Sequence, residues 1–450
     1  MRPGPALEVD RLLDDPRTRI IVCCGSGGVG KTTTAAALGL RAAERGRHAV
    51  VLTVDPARRL AQSMGLSSLD NTPRPVPFAA NTGAANTGAA NNGSANNGAA
   101  SNGEAEGGSL HAMMLDMKRT FDEIVEAHSD PDRAAQILAN PFYQSLSSSF
   151  AGTQEYMAME KLGQLRRADE WDLIVVDTPP SRSALDFLDA PQRLGRFLDG
   201  RLIRLLGAPT KAGGRAYLKF MTTGFTMVTG VITKIIGVQM LRDVQTFIAA
   251  FDTMFGGFRE RAEDTYRLLQ APGTAFLVIA TPEPDALREA SYFVDRLSSD
   301  QMPLAGLIVN RVHRSPAAGL SAARSLAAAE VLQPVPGNAE NPLGLGENGQ
   351  GENGQPAGNG LAGPEAGARD LRGTPAVAAT MSRHPLTATA LRLHAERMQL
   401  AERERRLEES FSAAHPAIPV AEVLAQPEDV HDLDGLRSVG KELARGVRLS

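Results

Sequence analysis

The chain has 450 residues and a formal net charge of −4, so no basic field marks it as a nucleic-acid binder, and its 5% aromatic content supplies few stacking platforms for single strands. Two adjacent cysteines, Cys23 and Cys24, make neither a disulfide framework nor a thiolate metal cage, and no histidine stands in a metal-ligand spacing. The charged segment Met1 to Asp15 lacks the apolar core of a signal peptide, which predicts a cytoplasmic protein.

The first predicted element is a buried strand, Arg19 to Cys24, on which the two cysteines read as core. Directly behind it runs Gly25-Ser26-Gly27-Gly28-Val29-Gly30-Lys31-Thr32-Thr33, opening an Ala-rich helix from Lys31 to Arg45, and a second apolar strand follows at Ala49 to Val54. This is the βαβ context in which a glycine-rich loop acts as a phosphate cradle. Backbone N–H groups of Gly25 to Gly30 point at phosphate oxygens, Lys31 reaches the β- and γ-phosphates, Thr32 holds Mg²⁺ and Thr33 adds a backbone or hydroxyl contact. The expected ligands are therefore ATP or a similar nucleoside triphosphate, and Mg²⁺.

Asp55 ends the second strand, where it either orients the attacking water or only forms a turn or helix cap. Pro73 to Ser109 carries an Asn/Gly/Ala repeat with Gly83, Gly88, Gly93, Gly98 and Gly103 at fixed spacing, and reads as a disordered insertion. Leu110 to Leu115 follows as a short strand, running on into an amphipathic helix that ends near Glu126, and another helix spans Tyr156 to Arg166. Within Trp171 to Ser181 runs an apolar strand ending in Asp177, a Walker B strand whose aspartate supports the Mg²⁺ shell through water, with a switch segment behind it. The longest apolar run, Phe220 to Thr233, is broken by Lys234 and is too short to span a bilayer. A second low-complexity insertion covers Pro334 to Pro375. Leu386, Leu393, Leu400 and Leu407 recur along a charged helix, but Arg397 and Glu404 between them argue for packing on the chain's own sheet over a coiled coil.

The segments Asp55-Pro56-Ala57 with Leu60, Asp177-Thr178-Pro179-Pro180 running on to Leu185, Leu188 and Pro191, Ala275 to Glu283, and Gly306 to Arg311 together resemble a known family. They are similar to the arsenical pump-driving and tail-anchored-protein-targeting ATPases, within the deviant-Walker switches that include MinD and ParA. The resemblance implies an α/β fold, a doubly wound mostly parallel sheet of one P-loop domain, with Pro416 to Leu436 as its closing strand and helix. It implies a helical subdomain near residues 200–265, ATP hydrolysis as a nucleotide-switched dimer, and Asn310 as the residue that reads adenine, unless Asn310 is merely a loop residue. It also implies a membrane-protein client or membrane transporter as partner, with a cytoplasmic location, peripheral at the inner face of the membrane. Glu155, in a loop similar to one near the family's dimer face, either reports on the neighbouring subunit or serves as a helix-start carboxylate.

Three departures sharpen the expectation. Ser26 stands where family members carry a signature lysine that crosses the dimer to the partner's nucleotide. Such a trans cation is worth roughly 10³ to 10⁵ in rate, so the chain is expected to hydrolyse weakly alone or to pair with a lysine-bearing paralogue, unless Arg58, Arg59 or Arg182 supplies the charge. The cysteines that bind arsenite, and the Cys-x-x-Cys pair that clamps zinc between subunits, are both missing, so no zinc is expected. Finally, the Met- and Phe-rich stretch Leu202 to Phe258 corresponds to a client-binding subdomain, though such a stripe also reads as ordinary core. A membrane-docking switch of the MinD type is weakest, because Asp434 to Ser450 shows charge without an evident apolar stripe.

Overall fold

The structure, a computed structural model, describes residues 5–54, 58–78, 107–141, 143, 144, 147, 153–179, 260, 261, 263–332 and 385–446. Asp55, Arg182, the bulk of both low-complexity insertions and nearly all of the 200–265 stretch lie outside them, as do the side chains of Arg58, Arg59 and Glu155. The described residues divide into two compact units, one of 1–312 with 404–450 and one of 313–403.

The first unit is built on eight strands: β1 (Ile20–Cys24), β2 (His48–Thr53), β3 (Arg74–Pro75), β4 (Ser109–Met114), β5 (Leu173–Asp177), β6 (Thr274–Ala280), β7 (Leu304–Val312) and β8 (Val420–Leu424). Their order is β3-β4-β2-β5-β1-β6-β7-β8, and every pairing is parallel except β3 with β4. All residues of β1, β5 and β6 are buried, as expected of parallel strands covered by helices on both faces. This is the doubly wound, mostly parallel sheet that the family resemblance implied.

Edges and ends differ from the sequence reading. Arg74, Pro75 and Val76 belong to the sheet and not to the insertion: β3 pairs with β4, and the Val76 N–H donates to the Leu110 carbonyl at 2.9 Å. Proline is tolerated there because an edge strand leaves one side of its backbone unpaired. Ser109, likewise, begins β4. The closing helix, Leu433–Arg445, does carry an apolar stripe. Leu436, Val439, Gly440 and Leu443 follow the i, i+3, i+4, i+7 rule and are buried, and a Cβ at Gly440 would lie 3.6 Å from the Ala37 carbonyl oxygen on the helix Lys31–Glu44. That face is spent on the core.

In the helix Pro385–Ala414 the expected leucine packing holds only in part: Leu407 packs against the core and Leu400 is half-buried. Leu386 and Leu393 are exposed at 84% and 61%, whereas Ala388 and Ala395, also seven apart, are buried. Within the second unit this helix is tied by His394, whose Nδ1 faces the Ser315 hydroxyl at 3.1 Å and whose Nε2 faces the Leu320 carbonyl at 2.8 Å, and by Arg397 donating to the Arg314 carbonyl.

Candidate active site

Parallel topology brings the carboxyl ends of β1, β2, β5 and β7 to one edge of the sheet, the edge where this architecture places ligands. From β1 the chain turns into the glycine-rich loop. Gly25 has φ 152°, and a Cβ there would sit 2.1 Å from the Ile279 carbonyl oxygen of β6, so only glycine lets the loop leave the sheet at this point. The loop delivers the chain to the helix Lys31–Glu44, whose first turn carries no acidic residue and whose N-cap, Gly30, offers no side-chain cap. The positive end of this helix therefore faces the glycine-rich loop without a side-chain cap from Gly30, an arrangement suited to an anion.

Lys31 is buried at 5% exposure, and its ammonium donates to the Ser26 carbonyl at 2.9 Å, folding back across the loop it belongs to. Gly27 and Gly28 are exposed and Ser26 is partly so, whereas Val29 is buried and anchors the loop in the core. Thr32 donates its hydroxyl to Asp177 Oδ2 at 2.7 Å, so the first helical turn and the end of β5 meet through the two side chains the sequence nominated for Mg²⁺. Both are hard oxygen donors of the kind Mg²⁺ takes, and a hydroxyl and carboxylate already in register fit such an ion beside phosphate oxygens. Thr33 is partly buried in the same turn.

One residue at this centre escaped the sequence reading. Thr53, the last residue of β2, is fully buried and donates its hydroxyl to the same Asp177 Oδ2 at 2.9 Å. Parallel register places Thr53 directly opposite Asp177, with Cys23 of β1 on the other side. No linear motif reports that adjacency, although a threonine ending the strand before Asp55 was a legible hint. The segment behind Asp177 is pinned too: the Thr178 hydroxyl donates to the Cys23 carbonyl at 2.8 Å, and the Val54 N–H to the Asp177 carbonyl at 3.1 Å. The ends of β2 and β5 are therefore held together.

Asn310 lies at the same edge, near the end of β7, but not on an open surface. It is 9% exposed, its Nδ2 donates to the Val29 carbonyl at 2.8 Å, and its Oδ1 accepts the Arg311 N–H at 3.0 Å. The cysteines are core groups, as their strand position suggested. Burial pushes the Cys24 thiol up to about 12 and raises Cys23 well above the usual thiol range, with the nearby Asp177 charge adding to the second shift. Among the described residues no helix is long and apolar enough to cross a membrane.

The family model described as anion-transporting ATPase matches residues 18–320. An ATPase GET3 from Malassezia globosa is 26% identical over 190 residues, and the match spans only 42% of this chain and 47% of that protein. ATPase get3 of Schizosaccharomyces pombe is 22% identical over 309 residues, covering 68% of this chain and 78% of the relative, and ATPase GET3 of Chaetomium globosum is 23% identical over 312 residues, covering 69% and 78%. The family match runs from the start of β1 to beyond β7 and takes in the phosphate loop, Asp177 and Asn310, so the chain belongs to the anion-transporting ATPase family and is, by that membership, an ATP hydrolase.

Proposed function

We propose that this chain is an Mg²⁺-dependent ATPase that works as a nucleotide-switched dimer to drive a membrane-protein client or transport partner. The observation that carries the reading is the Thr32–Asp177 contact at the carboxyl edge of the sheet, beside the N-terminus of the helix that follows the glycine-rich loop. In this reading Lys31 swings from the Ser26 carbonyl to the β- and γ-phosphates, while the amides of Gly25 to Gly30 and Thr33 hold the phosphate chain. Thr32 and Asp177 would hold Mg²⁺, directly and through water, and the bound ion would offset charge on the phosphoryl oxygens. Asp55, which lies outside the described residues, would orient the attacking water. Asn310 would face the nucleotide from β7.

Ser26 favours a more specific arrangement, a heterodimer with a lysine-bearing paralogue. The partner's lysine would complete this chain's site, and Ser26 could not reciprocate. The client would engage the stretch around residues 200–265, and the protein would act in the cytoplasm or against the inner face of the membrane.

Steady-state hydrolysis of ATP with Mg²⁺ by the parent, Ser26→Lys and Lys31→Ala tests both levels. Expected is slow turnover in the parent, none in Lys31→Ala, and a gain of tenfold or more in Ser26→Lys, against the roughly 10³ to 10⁵ that such a cation is worth at best. Parent and Ser26→Lys both indistinguishable from Lys31→Ala would sink the proposed mechanism. An active parent with no gain would instead remove the heterodimer, leaving a homodimer that completes its own site.

A further inference from the structure

β7 is irregular where it passes the phosphate loop. Its register with β8 shifts between Asn310 and Val312, and the intervening Arg311 has φ 63°, in the left-handed region that an L residue adopts at a cost. Strain of this kind persists where surrounding contacts over-determine it. Here the outcome is a fixed amide. The Arg311 N–H donates to Asn310 Oδ1, which assigns that oxygen to its side of the amide and turns the NH₂ group to the Val29 carbonyl. The approach is close: a Cβ at Gly30, which has φ 93°, would lie 2.2 Å from Asn310 Nδ2. Glycine at position 30 and asparagine at position 310 are thus fitted to one another across the site.

We propose that Asn310 is a positioning residue of the phosphate loop. Oriented by the backbone of Arg311, it hooks the Val29 carbonyl and holds the stretch Gly28 to Lys31 in its phosphate-cradling form. It therefore contributes to affinity for the phosphate chain whatever base that chain carries, which goes beyond the adenine-reading role implied by the family resemblance. The proposal rests on the nucleotide-binding reading above.

The test is binding of ATP, GTP and inorganic tripolyphosphate, each with Mg²⁺, to the full chain, its Asn310→Ala variant and its Asn310→Asp variant, by calorimetry. Loss of one well-made buried hydrogen bond predicts that all three ligands weaken together, by roughly tenfold. Asn310→Asp should be at least as weak as Asn310→Ala, because its second oxygen would face the Val29 carbonyl. A larger loss for ATP than for tripolyphosphate, with tripolyphosphate still weakened, also supports the hook. Loss confined to ATP would overturn it in favour of base reading alone, and unchanged binding of all three would overturn it outright.

Amide hydrogen exchange supplies the second arm. The loop from Ser26 to Gly30 should exchange faster in both variants while β1 and β6 keep their protection, and unchanged loop exchange would count against the proposal. Should the parent bind none of the ligands, the nucleotide-binding reading fails, and exchange still decides the hook.

Discussion

Thr53→Val removes one hydroxyl from the floor of the site and preserves the shape and β-branching that a central strand favours. The lost group donates at 2.9 Å to Asp177 Oδ2, and both residues are at 0% exposure. A hydrogen bond to a buried charged group is worth about 1.5–3 kcal/mol, and a valine methyl in its place offers the carboxylate nothing in return. The expected destabilisation is therefore about 2 kcal/mol, read as a lower urea midpoint with an unchanged slope. Thr32 would remain as the other hydroxyl donor to Oδ2, from the helix side, so the carboxylate should also lose its fixed orientation. ATP hydrolysis titrated with Mg²⁺ should then show a higher half-saturating concentration, and Thr53→Ser, which restores the hydroxyl, should recover most of it. A Thr53→Val protein within about 0.5 kcal/mol of the parent, the scatter of ordinary surface changes, and with the parent's Mg²⁺ dependence would refute the assignment of Thr53 to this centre.

Two further outcomes follow from buried groups elsewhere in the fold. Glu160 is 3% exposed and accepts from Arg167 Nη2 at 3.2 Å and Arg261 Nε at 3.1 Å, so Glu160→Gln should cost about 3 kcal/mol in a denaturation experiment by leaving guanidinium charge poorly compensated, and a neutral effect would show that the pairing is not structural. Cys23 and Cys24 should be inert to a thiol reagent at pH 8 in the folded protein and both react on unfolding, because burial keeps them protonated there; labelling of the native state at the unfolded rate would contradict the packing of β1.

Legibility in the sequence tracked the range of the interactions involved. The strand before Gly25, the helix after it, and the apolar runs ending at Asp177 and Asn310 are set by local pattern: continuous apolar residues for doubly covered strands, and Gly, Lys and Thr at fixed offsets for a phosphate loop. Where one residue type serves two structural states, local pattern failed. Pro75 looked like part of an insertion and is an edge strand, and of the leucines spaced by seven along Pro385–Ala414, Leu407 packs on the core whereas Leu386 and Leu393 are exposed. In the closing helix, charged residues between Leu436, Val439 and Leu443 masked a stripe that only the helical period reveals.

The sequence by itself determined the chemistry on offer: a phosphate-binding loop with Lys31 and Thr32, a strand-end carboxylate at Asp177, and a serine at position 26 where the resembling family carries a lysine. Each is a local fact, carried by a few consecutive residues. Tertiary structure decided which groups share an atom. The β2–β5 register set Thr53 against Asp177, and the bend at Arg311 turned Asn310 towards Val29, 281 residues away in the chain. Such contacts depend on strand order, parallel register and backbone torsion, which arise only when distant segments pack, and no spacing along the chain encodes them.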